Sequence, residues 1–171
     1  AKEIYKRIVE NMPCLIYVNT RAQAELQFQA LWVHNDLTLK IGLHHGSLEV
    51  GLRLKTEAAM AKGELDAVVA TSSLDLGIDW ADIELVVQVG APKGTSRLLQ
   101  RIGRAGHRLD TPSRALIVPA NRFEVFEALA AKLNVEQRLL DDLPAHEGAL
   151  DVLAQHIVGR AVAGPFSAEQ L

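Results

Sequence analysis

The segment KGTSRLLQRIGRAGHR, from Lys93 to Arg108, holds Lys93, Arg97, Arg101, Arg104 and Arg108 and not one carboxylate. Read as a continuous helix, it sets the four arginines at spacings of 4, 3 and 4, on a single narrow stripe. Like charges at those spacings repel by about 0.2–0.5 kcal/mol per pair. Gly103 and Gly106 weaken a helix further, by about 1 kcal/mol each relative to alanine. Local folding disfavours the run, so its chemistry points outward, to a polyanion such as a phosphate chain that the glycines admit close to the backbone. The alternative from charge alone is a solvated basic face.

Three short segments after apolar runs carry related chemistry. Asn19-Thr20-Arg21 joins an amide, a hydroxyl and a guanidinium at a helix start, which makes either an anion site or an ordinary cap. His45-Gly46-Ser47 is a second small-residue turn. His44 and His45 are neighbours on a strand and face opposite sides, without a cysteine or carboxylate cluster beside them. No metal is expected there, and His45 reads as a turn residue or a phosphate neighbour. The third segment is TSSLDLGIDW, Thr71 to Trp80. Thr71 and Ser72 offer hydroxyls, Gly77 allows close backbone approach, and Asp79 is an acceptor suited to ribose hydroxyls. A helix cap with a structural aspartate accounts for the same residues.

These loops need strands to place them. Strands are expected at Leu15–Val18, Ile41–His44, Ala67–Ala70, Leu85–Val89 and Ala115–Val118, with the wholly apolar third one inside the sheet. Helices are expected from Arg21 to about His34, from an N-cap at Ser47 to a stop at Gly63, through the arginine run, and over Asn121–Asn134, Val135–Asp142 and Leu150–Val162. Strands alternating with helices make an α/β fold with a parallel sheet covered on both faces, whose ligands meet the carboxyl ends of the strands.

The net charge of -3 leaves any affinity for nucleic acid to local placement of cations. The single cysteine, Cys14, supports no disulfide framework and fits a reducing, cytoplasmic setting. No apolar run is long enough for a membrane. The sequence begins at Ala1 and reads as a fragment of a longer protein.

VNTRAQAE (Val18 to Glu25), HHGSL (His44 to Leu48), ATSSLDLGIDW (Ala70 to Trp80) and QVGAPKGTSRLLQRIGRAGHR (Gln88 to Arg108) occur in that order. Together they resemble motifs IV, V and VI of superfamily 2 helicases, and most of all the large helicase-related (Lhr) family of ATP-dependent DNA helicases. PSRALIVPANRFEV (Pro112 to Val125) resembles that family's ligase-associated branch. The resemblance implies a second RecA-like domain over residues 1–134. Residues 135–171 become a helical linker and the start of a winged-helix domain.

The resemblance further implies that Gln100, Arg101 and Arg104 face the triphosphate of ATP, with Arg104 as arginine finger and His107 or Arg108 beside it. Gly77 and Asp79 lie near the nucleotide ribose. Thr71 meets a nucleic-acid phosphate, with Asn19, Thr20, Arg21, His45, Gly46 and Ser47 on the same track. ATP and Mg²⁺ are then held chiefly by a first RecA-like domain, because no GxxxxGK[ST] or DExH pattern occurs in this sequence. The strand partner is single-stranded DNA or a DNA–RNA hybrid. The expectation is a helicase motor domain that is inactive alone. The alternative is a nucleic-acid-binding or protein-interaction module without ATPase chemistry.

Overall fold

Side chains alternate between faces along a strand, so each short apolar run must meet two covering layers. A computed structural model describes residues 1–75, 83–105, 112–141 and 148–170. Its strands are β1 (Cys14–Tyr17), β2 (Ile41–His44), β3 (Ala67–Ala70), β4 (Leu85–Val89) and β5 (Ala115–Val118). All pair in parallel, in the order β2-β3-β1-β4-β5. β1 and β3 are buried along their whole length, as the unbroken apolar runs require. The register is in step: Tyr17 lies opposite Ala70 and Gln88, and His44 opposite Ala70. All the loops after the strands therefore leave from one rim.

One face buries Cys14, Ile16, Val69 and Val87 under Ile4 and Ile8 of helix α1 (Lys2–Glu10) and Ala24 and Leu31 of α2 (Arg21–Val33). The other buries Leu15, Tyr17, Val68 and Val86 with Leu74, Ile83, Ala105 and Met60 of α3 (Val50–Ala61). Burial pushes the Cys14 thiol up to about 12, so it stays protonated and inert.

The helices depart from expectation at three ends. α3 starts at Val50 with Glu49 as N-cap, two residues later than an N-cap at Ser47 would give, because the Ser47 amide donates to His45 Nδ1 at 3.3 Å and a turn intervenes. The Gly63 stop is present: with φ +68° it accommodates bonds from its own N–H to Met60 O and from Glu64 N–H to Ala59 O. The arginine helix, α4 (Thr95–Ile102), ends at Gly103. Ala105 leaves the helical path to bridge Ile83 in parallel and enters the core, which pulls Arg104 off the helix. The four-arginine stripe is thus not formed: α4 carries only Arg97 and Arg101, and Arg108 lies outside the described residues. Finally, α5 (Arg122–Glu136) runs through the start of the separate helix expected at Val135, and no second helix follows over 137–141.

The chain divides into two compact units, residues 1–141 and 142–171. The second contains α6 (Leu150–Ala163), whose Leu150, Leu153 and Val158 are exposed. Among the described residues no helix is long and apolar enough to cross a membrane.

Asp141 closes the first unit by capping α4 from 45 residues away: its carboxylate accepts from Ser96 N–H at 2.9 Å, and its own N–H donates to Ser96 Oγ at 3.2 Å. Gly94, at φ +97°, is required beside it, since a Cβ there would stand 2.5 Å from Asp141 Oδ2. The amides of Ser96 and Thr95 hold the Asp141 carboxyl below its ordinary 3.8. A lowered folded value means the cap contributes fully above pH 3.8 and is lost as pH falls below it. Thermal unfolding of Asp141→Asn should therefore lose less stability than wild type on acidification through this range; parallel acid profiles would remove the cap from the account.

Candidate nucleotide and nucleic-acid surface

The rim gathers hydroxyl, imidazole and guanidinium groups because β1, β2 and β3 each end in a polar turn and α4 brings arginines to it. After β1, Thr20 caps α2 in a capping box: its Oγ1 accepts from Gln23 N–H at 3.2 Å, and Gln23 Oε1 accepts from the Thr20 amide at 3.1 Å. Asn19 donates from Nδ2 to Ala91 O at 2.9 Å, tying this loop to the one after β4. Both side chains thus already serve the fold. Arg21 is exposed, and a Cβ at Gly46 would lie 3.8 Å from its Nη2, so it reaches over the His45–Ser47 turn. Among the described residues no carboxylate lies within ion-pair distance of it.

After β2, His44 and His45 turn to opposite faces. His44 Nε2 is 2.7 Å from Glu57 Oε1 of α3, while His45 Nε2 is 3.2 Å from Glu25 Oε1 of α2. The latter is an ion-pair distance at an angle that makes no hydrogen bond. His45 Nδ1 accepts from Ser47 N–H, so its ring proton sits on Nε2, toward Glu25.

After β3, one turn of 3₁₀ helix (Ser72–Leu74) presents Ser72 and Ser73 to solvent, while Thr71 is buried with its Oγ1 3.4 Å from Ser73 Oγ. The same turn ends in Asp75, which organises the arginines. Arg101, 3% exposed, donates from Nε to Asp75 Oδ1 at 2.8 Å, from Nη2 to Oδ2 at 3.3 Å and from Nη1 to Gln88 Oε1 at 2.6 Å. Its Cζ stands 4.5 Å from the centroid of the Tyr17 ring. Arg104 is half-buried and donates from Nη2 to the Asp75 carbonyl at 2.8 Å. Arg97 Nε lies 3.6 Å from Asp75 Oδ2 and is half exposed. Burial, reinforced by the Asp75 charge and opposed by Arg101 and Arg104, raises the Tyr17 phenol well above its usual range. Its hydroxyl donates to Leu74 O at 2.9 Å.

Arg101, Arg104 and Arg97 therefore converge on one carboxylate-bearing turn, with Gln100 exposed on α4 beside them. Asn19, Thr20, Arg21, His45, Gly46, Ser47 and Thr71 share the rim. Gly77, Asp79 and His107 lie outside the described residues. Sequence reasoning passed over Asp75, Gln88 and Tyr17. The one available signal was that Asp75 is a carboxylate in the loop after β3, at the level of an otherwise uncompensated arginine run.

A parallel sheet of this order, with arginines and hydroxyls concentrated at its carboxyl rim, is a RecA-like α/β domain. The same fold occurs in Mycobacterium smegmatis helicase Lhr, solved bound to ssDNA and AMP-PNP: TM-score 0.80 and 33% identity, covering 98% of this chain and 22% of that one. The helicase conserved C-terminal domain family matches residues 2–108, and the chain belongs to it. It is 40% identical over 167 residues to ATP-dependent helicase Lhr-Core protein 2 of Thermococcus barophilus, covering 95% of this chain and 19% of the relative. Against Lhr helicase/uracil glycosylase of Escherichia coli it is 42% identical over 118 residues, or 69% of this chain and 8% of that protein. The chain thus spans a fifth or less of these relatives.

Proposed function

We propose that this chain is the second motor domain of a longer ATP-dependent helicase of the Lhr type. In this reading residues 1–134 are the motor domain and 135–171 lead into a winged-helix domain. A first RecA-like domain holds ATP and Mg²⁺ across a cleft, and the rim loops track single-stranded DNA or a DNA–RNA hybrid. Arg104 is the arginine finger, Gln100 stands beside it, and Gly77 and Asp79 serve the ribose. Arg101, whose Nε, Nη1 and Nη2 each donate to a buried side chain, holds Asp75 and so sets where Arg104 stands.

The observation that carries this reading is the turn Thr71–Asp75. One end borders the hydroxyl row of the rim, and the other grips the arginines, so a single short segment joins a strand surface to a triphosphate surface. Thr71 then supports the track from behind its exposed neighbours, and Asn19 and Thr20 hold the loop beside it, with His45-Gly46-Ser47 alongside.

The decisive experiment is ATP hydrolysis by the full-length protein with and without single-stranded DNA. Strong stimulation by the strand is expected; binding without stimulation would leave only a nucleic-acid-binding module. Arg21 supplies a second check. It is an exposed cation without an ion-pair partner among the described residues, so a phosphate contact there releases a counterion. Arg21→Ala should weaken single-strand binding and flatten the slope of log affinity against log salt by about 0.7. An unchanged slope would take Arg21 off the track.

A further inference from the structure

His44 is 1% exposed, yet both its ring nitrogens have polar partners near the surface. Nε2 is 2.7 Å from Glu57 Oε1 and Nδ1 is 2.8 Å from Ser73 Oγ. The three residues form a chain from α3, through the end of β2, to the exposed turn after β3. The roles proposed above use none of them.

The hydrogens in this chain are constrained. An ionised carboxylate only accepts, so Glu57 keeps a proton on Nε2. In the neutral ring Nδ1 is then an acceptor, and the Ser73 O–H must point inward to satisfy it. Its other contacts, Thr71 Oγ1 and the His44 carbonyl, are both 3.4 Å away and weaker. A phosphate oxygen is also only an acceptor. Ser73 can donate to one only by turning its hydrogen outward, and Nδ1 must then carry a proton of its own. That proton comes from solvent, and the resulting imidazolium lies between the Glu57 carboxylate and the arriving phosphate charge, where both favour it.

We propose that Ser73 is a phosphate-binding residue for the backbone of a nucleic-acid strand, that His44 takes up a proton as the contact forms, and that Glu57 is the positioning carboxylate. The inference rests on the reading of the rim as a strand track. Glu57 is the charged group placed against the ring from α3, with Arg53 one turn earlier on that helix. Ser73 faces the ring from the β3 turn as a neutral group with the Thr71 hydroxyl beside it, and His45 with Glu25 occupies the opposite face of the sheet.

The test is binding of fluorescein-labelled oligo(dT) to the full-length protein, with proton uptake measured by calorimetry in two buffers of different ionisation enthalpy at one pH. Wild type should take up part of a proton, at most one, on binding. Ser73→Ala, a change at an exposed site, should bind about tenfold more weakly and lose the uptake. His44→Gln should bind without uptake, and Glu57→Gln should reduce it while the fold persists. Proton-free binding by wild type, or unchanged affinity and uptake in Ser73→Ala, overturns the proposal. Absence of oligo(dT) binding by wild type overturns the strand-track reading and this inference with it.

Discussion

If the proposed role of Arg104 holds, replacing it by alanine in the full-length protein is expected to lower strand-stimulated ATP hydrolysis by about 10³–10⁵-fold, the range found for arginine fingers in phosphoryl transfer. Strand affinity should stay close to wild type. The size of the effect follows from when the charge is needed. The transferring phosphoryl group spreads negative charge over its equatorial oxygens, and a guanidinium held in place beforehand stabilises it without reorganising. Arg104 meets that requirement: it is half-buried, stands in the turn after α4, and is anchored by a bond from Nη2 to the Asp75 carbonyl at 2.8 Å. Arg104→Lys keeps a cation without the planar fork, so it should restore little of the rate. Arg97→Ala removes a half-exposed side chain and should leave turnover largely intact. Steady-state ATPase at saturating single-stranded DNA, beside anisotropy of a labelled strand, separates the outcomes. Wild-type turnover in Arg104→Ala would overturn the proposed role.

The strands were legible because each is a short apolar run closed by polar turn residues, and parallel order followed from the helices between them. Helix ends set by a local cap or glycine were legible too, at Arg21 and Gly63, whereas those set by tertiary contact were not. Nothing local announces that Ala105 will pair with Ile83 and end α4, or that His45 Nδ1 will claim the Ser47 amide and delay α3. The same distinction governs the site. Arg101 and Arg104 stand out as an uncompensated basic run, but the partner that compensates them, Asp75, is 26 residues from Arg101 and looks like one more acid in a loop. Charge pattern finds the cations; only tertiary contact tells which are turned inward. His44 illustrates the converse. Beside His45 it invites a metal reading, and the alternation of strand side chains dismisses it, but Glu57 and Ser73 come into view only when α3 and the β3 turn are placed.

Removing the Asp75 carboxylate should damage the fold severely. Asp75→Ala is expected to destabilise the protein by about 3–5 kcal/mol, the range for breaking a buried ion pair from one side. Side-chain exposure is 4% at Arg101 and 9% at Asp75, so water cannot replace the lost partner. The guanidinium would remain against the Tyr17 ring with Gln88 as its remaining side-chain acceptor at hydrogen-bond distance. Arg101→Ala should cost a similar amount, because it leaves a carboxylate buried instead. The double variant should fall well short of the sum, since the second change no longer breaks a pair. Arg97→Ala, by contrast, loosens a half-exposed contact at 3.6 Å and should change stability by about 1 kcal/mol or less. Urea unfolding of the four variants decides the matter. Additive losses in the double variant would mean that Asp75 and Arg101 stabilise the domain independently. Coupled losses would make their pair the joint through which the β3 turn and α4 are held together, and hence the reason Arg104 stands where it does.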